Sequence, residues 1–328
     1  MFSTKAWLKC RRLEPSMMTR LEMSLVIVAT FLMVAIVISY VCRGGHQASP
    51  GGAAETSPAD RERVFRPPDV VAPIADDDYE SWRPPVLPSR LKSAQQDDQE
   101  LIEHIRSSWI LPPPARSPRR LNHPEKYDHS EYGQSFVIDK LLHGLDHGIY
   151  VDVWAGNGET DSNTLFLEKD RHWDGLLVEP NPDHFRSLIG KRRHAYAVNA
   201  CVSPTTTPSV LNLTYGGSER SGSRSAFVQC FPLYSLIRAL DIRRVDYLSI
   251  RSQLELEILK TLPLQDPDKL TVVTLTVETH INRNRRQTLA TNEEVKILMT
   301  SYGYRWVDAG ERINKRNVIL QRKNTLTK

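Results

Sequence analysis

No stretch of this chain carries a nucleophile elbow, and none carries a phosphate-binding loop with its Lys-Ser/Thr pair. These absences exclude a serine hydrolase of the usual kind and a P-loop nucleotidase. The ten histidines are dispersed. His143 and His147 stand four apart, but Gly144 interrupts any helix between them and no cysteine or carboxylate set joins them, so no metal site is expected. Net charge is only +4, with part of the excess at the N-terminus, and no basic stripe is interleaved with stacking aromatics. Nucleic acid is therefore not expected as a partner. Cysteine is scarce, with four residues in 328, and there is no internal repeat.

Against these absences stands one long apolar run. Residues 23–42 (MSLVIVATFLMVAIVISYVC) hold no charge, and 20 residues suffice to cross a hydrocarbon core as a helix. A cleaved signal peptide is the competing reading, but the run exceeds the usual apolar core of such peptides and a polar segment of about 20 residues precedes it. Lys5, Lys9, Arg11, Arg12 and Arg20 lie before the run, and only Arg43 lies between it and Arg61. The positive-inside rule makes this a single-pass type II membrane protein, residues 1–22 cytosolic and everything after residue 42 lumenal or extracellular. The span has no GxxxG pattern to favour helix pairing.

That topology leaves Cys201 and Cys230 as the cysteines in an oxidising compartment, 29 residues apart. They are a disulfide candidate, with two buried free thiols as the alternative. Asn212-Leu213-Thr214 is a candidate glycosylation sequon on the same side. Residues 43–118 read as a linker, since twelve of the 21 prolines fall between Pro50 and Pro118 and such sequence buries little apolar surface. One island interrupts it at 97–110 (DDQELIEHIRSSWI), where Leu101, Ile102, Ile105 and Trp109 recur at helical spacing until Pro112. This is either a short helix docked on the folded domain or a partner-binding helix.

Residues 119–328 alternate apolar strands with helical segments, which calls for an α/β fold with a mostly parallel sheet covered on both faces. Its organising stretch is 148–179. An apolar strand (149–153) enters a glycine-containing turn (155–159), a helical segment follows, and a second strand (175–178) ends on Glu179. That is the front half of a nucleotide-binding β-α-β unit, in which a strand-end carboxylate holds ribose hydroxyls. The bland alternative for Glu179 is a solvated strand-end charge. Further helices are expected over 134–145, 183–189, 233–240, 255–262 and 292–301. Strands are expected over 195–200, 210–214, 245–250 and 270–277, with a closing hairpin from 304–307 and 317–321. Residues 216–225 read as a polar surface loop.

Seven blocks, in order, resemble the FkbM-type methyltransferase domain family: GQS (133–135), GETDSNTLFLEK (158–169), W-GLLVEPNP (173–182), NACVSP (199–204), VQCFPL (228–233), VDYLSI (245–250) and LEILKTLP (256–263). Anchor, linker and domain together resemble the Star-like group of that family. The resemblance implies a Rossmann-like, seven-stranded, S-adenosylmethionine-dependent fold. It also implies two divergent functions. One is lumenal O-methyl transfer. The other is a trafficking role in vesicle-mediated transport, carrying membrane-bound growth-factor precursors through the endoplasmic reticulum, Golgi, endosome or plasma membrane.

Carried onto this chain, the family's donor site falls on Asp152, Asn157, Gly158 and Glu179. Two departures mark it as vestigial or weak. Trp154 replaces the central glycine of the turn, where it either blocks the pocket or swings into the core. After residue 250, an Asp-Val-Glu-Gly-x-Glu pattern has become Arg251-Ser252-Gln253-Leu254-Glu255, so only Glu255 survives. Glu278 ends the next strand as a stray acid. The expectation is a pseudoenzyme with no catalytic residue and either no cofactor or weakly held S-adenosylmethionine. Protein cargo would be its partner; the alternative is a lumenal S-adenosylmethionine-dependent O-methyltransferase.

Overall fold

The computed structural model describes residues 83–114, 118–215, 224–252, 254–278, 292–314 and 317–323. The apolar span at 23–42, the tail before it, Gln253 and residues 216–223 lie outside them. Among the described residues no helix is long and apolar enough to cross a membrane.

In chain order the strands are β1 (Ile149–Val153), β2 (Asp174–Val178), β3 (Tyr196–Val198), β4 (Cys201–Val202), β5 (Ser209–Tyr215), β6 (Arg224–Phe231), β7 (Arg244–Arg251), β8 (Thr271–Glu278), β9 (Tyr304–Val307) and β10 (Asn317–Arg322). The α-helices are α1 (Gln99–Ser108), α2 (Gln134–Leu141), α3 (Leu165–Asp170), α4 (Pro182–Gly190), α5 (Leu233–Ala239), α6 (Glu255–Thr261), α7 (Asn292–Ser301) and α8 (Glu311–Asn314). Seven strands form one sheet in the order β3-β2-β1-β7-β8-β10-β9. The first five run parallel, while β10 is antiparallel to both neighbours. Counted along this sheet alone the order is 3-2-1-4-5-7-6, reversing direction at β1, where α/β sheets open a ligand crevice. This is the α/β, mostly parallel architecture expected, including the closing pair β9–β10.

The period of two along each strand divides the core between the sheet's faces. Val151 and Val153 of β1, with Leu176, Val178, Leu248 and Ile250, share one cluster with Leu101, Ile105, Leu236, Ile258 and Met299. Tyr150, Leu177 and Tyr247 join Ile138, Phe166, Leu167, Phe185 and Leu188 on the other face. Strand β8, Thr-Val-Val-Thr-Leu-Thr-Val-Glu, is buried on both faces and is rich in the β-branched residues that suit such a strand.

Residues 83–111 depart from the linker reading. Leu87, Leu91, Leu101, Ile102, Ile105, Trp109 and Ile110 are all buried in the first cluster. Asp98 caps α1 by accepting from the backbone N–H of Glu100 (2.8 Å) and Leu101 (3.1 Å). Leu111 then forms a two-bond bridge with Ala197, covering the free edge of β3. The packed unit therefore starts before residue 119, because a handful of large apolar side chains outweighs the prolines between them. The helix at 97–110 is a docked one, since its apolar face is committed to the core.

A second sheet, β4-β6-β5, flanks the first. Residues 224 and 225 belong to β6, paired with Tyr215 and Thr214, and not to the expected polar loop. Cys201 and Cys230 face each other in the β4–β6 register and are joined by a disulfide, Cα atoms 4.2 Å apart. Asn212 lies on β5 with its side chain exposed.

Candidate cofactor site

The crevice at the C-terminal end of β1 collects the residues carried over from sequence. Backbone geometry comes first. Trp154, Gly156 and Gly158 all adopt positive φ, at 63°, 63° and 76°. For a tryptophan that conformation costs about 1–2 kcal/mol. It is held by bonds from the Trp154 and Ala155 N–H groups to Val178 O, 2.7 and 3.1 Å. The indole is half-buried against the first core cluster, so Trp154 resolves into the core-packing alternative. Asn157 folds the next turn by accepting from Glu159 N–H (3.0 Å) and Thr160 N–H (2.8 Å). A Cβ at Gly158 would meet Leu188 Cγ at 3.1 Å, a tight contact, on a backbone whose positive φ already favours glycine.

Glu179 is not a solvated strand-end charge. It is 1% exposed, and its two oxygens accept from Gly156 N–H (2.7 Å) and Asn181 N–H (2.8 Å). The carboxylate that should face a ribose instead ties the glycine turn to the start of α4. Burial pushes its pKa up to about 7.

Asp152 is 0% exposed. Its Oδ2 accepts from Thr164 Oγ1 at 2.9 Å, while Oδ1 has no hydrogen-bond partner among the described residues. Arg251, on the adjacent strand β7 two residues beyond Ser249, the register partner of Asp152, lies over it with Nη2 3.9 Å from that Oδ1. The guanidinium donates from Nη1 to Asp161 O (2.9 Å), while Nε and Nη2 are buried without acceptors among the described residues. Asp152 is thus covered by the side chain of Arg251. A sulfonium donor with an ammonium group would meet a fixed cation where it needs an acceptor. As arranged, the residues present do not fit S-adenosylmethionine. Glu255, the surviving acid of that pattern, is turned inward to accept from Ser252 N–H at 3.0 Å, and burial raises its pKa to about 7.

Behind the turn lies an ionic network that sequence spacing did not disclose. Arg193, buried, donates to Glu168 Oε2 (2.7 Å), to Gly158 O (2.5 Å) and to Tyr150 OH (3.2 Å). Glu168 also accepts from Tyr150 OH (2.6 Å), Arg119 Nε (2.7 Å) and His194 N–H (2.8 Å). Burial alone would raise the Glu168 pKa, but Arg193 and Arg119 outweigh it and hold it at about 2. Glu159 repeats the pattern. Burial is outweighed by Lys191, 2.6 Å away, and by the N–H groups of Asn122 and His123, leaving a pKa of about 2. Nothing short of the fold brings Arg193 and Glu168 together.

These shifts set a pH dependence. Glu159 and Glu168 are depressed, so the stability they contribute is present above the ordinary carboxylate range and lost as pH falls towards 2. Glu179 and Glu255 are raised, so their contribution is complete below that range and lost as pH rises through 7. The folded domain should therefore be more stable at about pH 5.5 than at about pH 8, with Glu179 alone supplying about 2 kcal/mol of the difference. Urea unfolding at the two values measures it, and equal midpoints would contradict the assignment.

No protein-family model and no curated protein matches the chain. Among solved structures it is similar to the methyltransferase FkbM from Methylobacillus flagellatus, at 13% identity and TM-score 0.36 over 60% of this chain and 49% of that one. A TehB-like S-adenosylmethionine-dependent methyltransferase from Corynebacterium glutamicum aligns at 9% identity and TM-score 0.32, over 58% of this chain and 88% of that one. A Geobacter sulfurreducens methyltransferase in complex with S-adenosylhomocysteine aligns at 8% and 0.29, over 56% and 68%. The strand order and the glycine turn identify the methyltransferase-like fold independently of these partial superpositions.

Proposed function

We propose that this chain is a membrane-anchored, methyltransferase-fold protein of the secretory pathway whose lumenal domain binds protein cargo and does not transfer methyl groups. The observation that carries the reading is Arg251 lying across Asp152, with each oxygen of Glu179 already accepting a backbone N–H. The uncharged span at 23–42 with its flanking basic residues supports a type II anchor. The Cys201–Cys230 disulfide and the exposed sequon at Asn212 suit an oxidising, glycosylating compartment.

For cargo the favourable surface is a cavity of about 440 Å³ between α4 and the β5–β6 hairpin. Val86, Val210 and Phe227 border it, and all three are exposed apolar side chains. Clustered exposed apolar residues mark interaction sites more than scattered ones do. The polar rim of the closed crevice is secondary, and α1 is excluded because its apolar face is buried. Co-expression with a membrane-bound growth-factor precursor tests this. The wild-type chain should capture the precursor, and Phe227→Asp should lose most of that capture. Equal capture by both, or none by either, would sink the cargo reading.

A second reading, a lumenal S-adenosylmethionine-dependent O-methyltransferase, draws support from Asp152 and Glu179 holding the strand-end positions in the expected strand order. It requires Arg251 to leave Asp152 and Glu179 to release Gly156. It predicts that Glu179→Ala removes donor binding while the fold stays intact.

A further inference from the structure

At the opposite end of the sheet, two short loops bring together three side chains that sequence spacing separates. Asp146 and His147 precede β1, and His172 precedes β2. Asp146 Oδ1 is 3.0 Å from His172 Nδ1, and Asp146 Oδ2 is 3.7 Å from His147 Nε2. The imidazoles stack with centroids 5.5 Å apart, and one ligand atom from each of the three residues lies within 4.8 Å of the others. All three side chains are exposed. Spacing along the chain paired His147 with His143; folding pairs it with His172 instead.

The loops are fixed to one another independently of these side chains. His147 N–H donates to Arg171 O at 2.9 Å. Trp173 Nε1 donates to Leu145 O at 2.8 Å, and its indole covers Gly148 so closely that a Cβ there would stand 2.6 Å from the ring. Arg171 holds Asp139 through two bonds, Nε–Oδ1 at 2.6 Å and Nη2–Oδ2 at 2.9 Å. A ligand set on a braced frame loses little freedom on binding.

We propose that Asp146, His147 and His172 form a binding site for a divalent transition ion of the zinc class. Two imidazoles and one carboxylate match the nitrogen and oxygen donors that zinc takes, and three protein ligands leave a position for water or for a ligand from another molecule. Tetrahedral bonds of about 2.0–2.2 Å place ligand atoms about 3.3–3.6 Å apart, so a pair as far apart as 4.8 Å closes by more than about 1 Å, which exposed imidazoles do by rotation about their own bonds. The hydrogen bond between Asp146 and His172 is exchanged for a shared cation. Hard cations such as calcium prefer all-oxygen sites of six to eight ligands, so calcium should not compete. The site is remote from the β1 crevice and stands whether or not the domain binds S-adenosylmethionine.

The test is calorimetric titration of Zn²⁺ into the full chain, purified without a histidine tag. One ion should bind per chain. His172→Ala and His147→Ala should each weaken binding by more than the roughly 10- to 100-fold that loss of an outer-shell partner costs. His143→Ala should leave it unchanged, and Ca²⁺ should give no saturable heat. Because the three side chains are exposed, the variants should keep the wild-type urea midpoint in the absence of metal. Absence of saturable Zn²⁺ binding to the wild-type chain, or binding that survives His172→Ala, would overturn the proposal.

Discussion

Arg251→Ala is expected to convert a closed crevice into one that admits S-adenosylmethionine, raising its affinity by at least about 10-fold, or roughly 1.4 kcal/mol. The side chain contributes little to the fold. Its Nη1 holds Asp161 O, but its Nε and Nη2 find no acceptor among the described residues, and it approaches Asp152 no closer than 3.9 Å. What it does is place a permanent positive charge beside the acceptor that a cationic donor requires. Truncation to alanine removes that charge and exposes the orphaned Oδ1 of Asp152 to solvent and ligand. The methyltransferase reading differs in the wild-type chain, which under it binds the donor with Arg251 present, so that Arg251→Ala gains little. Calorimetry on the wild-type and variant chains together separates the two. Gain of binding in Arg251→Ala need not bring chemistry with it, because residues 251–254 offer no acid and Glu255 is turned inward.

Arg193→Met should be strongly destabilising, costing about 3–5 kcal/mol, the cost of leaving a buried ion without its partner. Arg193 is the largest fully buried side chain described, and it bridges three elements at once: α3 through Glu168, the glycine turn through Gly158 O, and β1 through Tyr150 OH. Removing it leaves Glu168 with Arg119 as its remaining cationic partner, and leaves the Gly158 carbonyl buried with a donor lost. Urea unfolding should show a lower midpoint with an unchanged slope, the mark of altered stability without altered compactness. Glu168→Gln with wild-type Arg193 should be damaging for the mirror reason. A loss below about 1 kcal/mol in Arg193→Met would mean that the network is solvated and not structural.

Much of the architecture was legible before any coordinates. The sheet follows from strands apolar on both faces, and the strand-end positions of Asp152 and Glu179 follow from the β-α-β pattern they close. What escaped were contacts between residues far apart in sequence. Arg193 and Glu168 are separated by 25 positions, and each looks like an ordinary charge on a solvated helix or turn. Arg251 was visible as a substitution, but its reach over Asp152 depends on the shared face and register of β1 and β7. Trp154 drew attention as an obstruction, yet the same positive φ that marks it as strained carries the indole to the core. The prolines around residues 84–88 and 112–114 signalled a linker, while the few leucines, isoleucines and the tryptophan between them carried the packing. His172 joined His147 only because two β-strands begin side by side.

Whether the crevice at the end of β1 accepts a methyl donor decides between the two functions. Titration of S-adenosylmethionine into the wild-type full chain measures this directly. Closure by Arg251 predicts no saturable heat at donor concentrations up to about 1 mM, an affinity weaker than roughly 4 kcal/mol of binding free energy. A micromolar dissociation constant for the wild-type chain, abolished by Glu179→Ala, would contradict it and establish the donor site as functional.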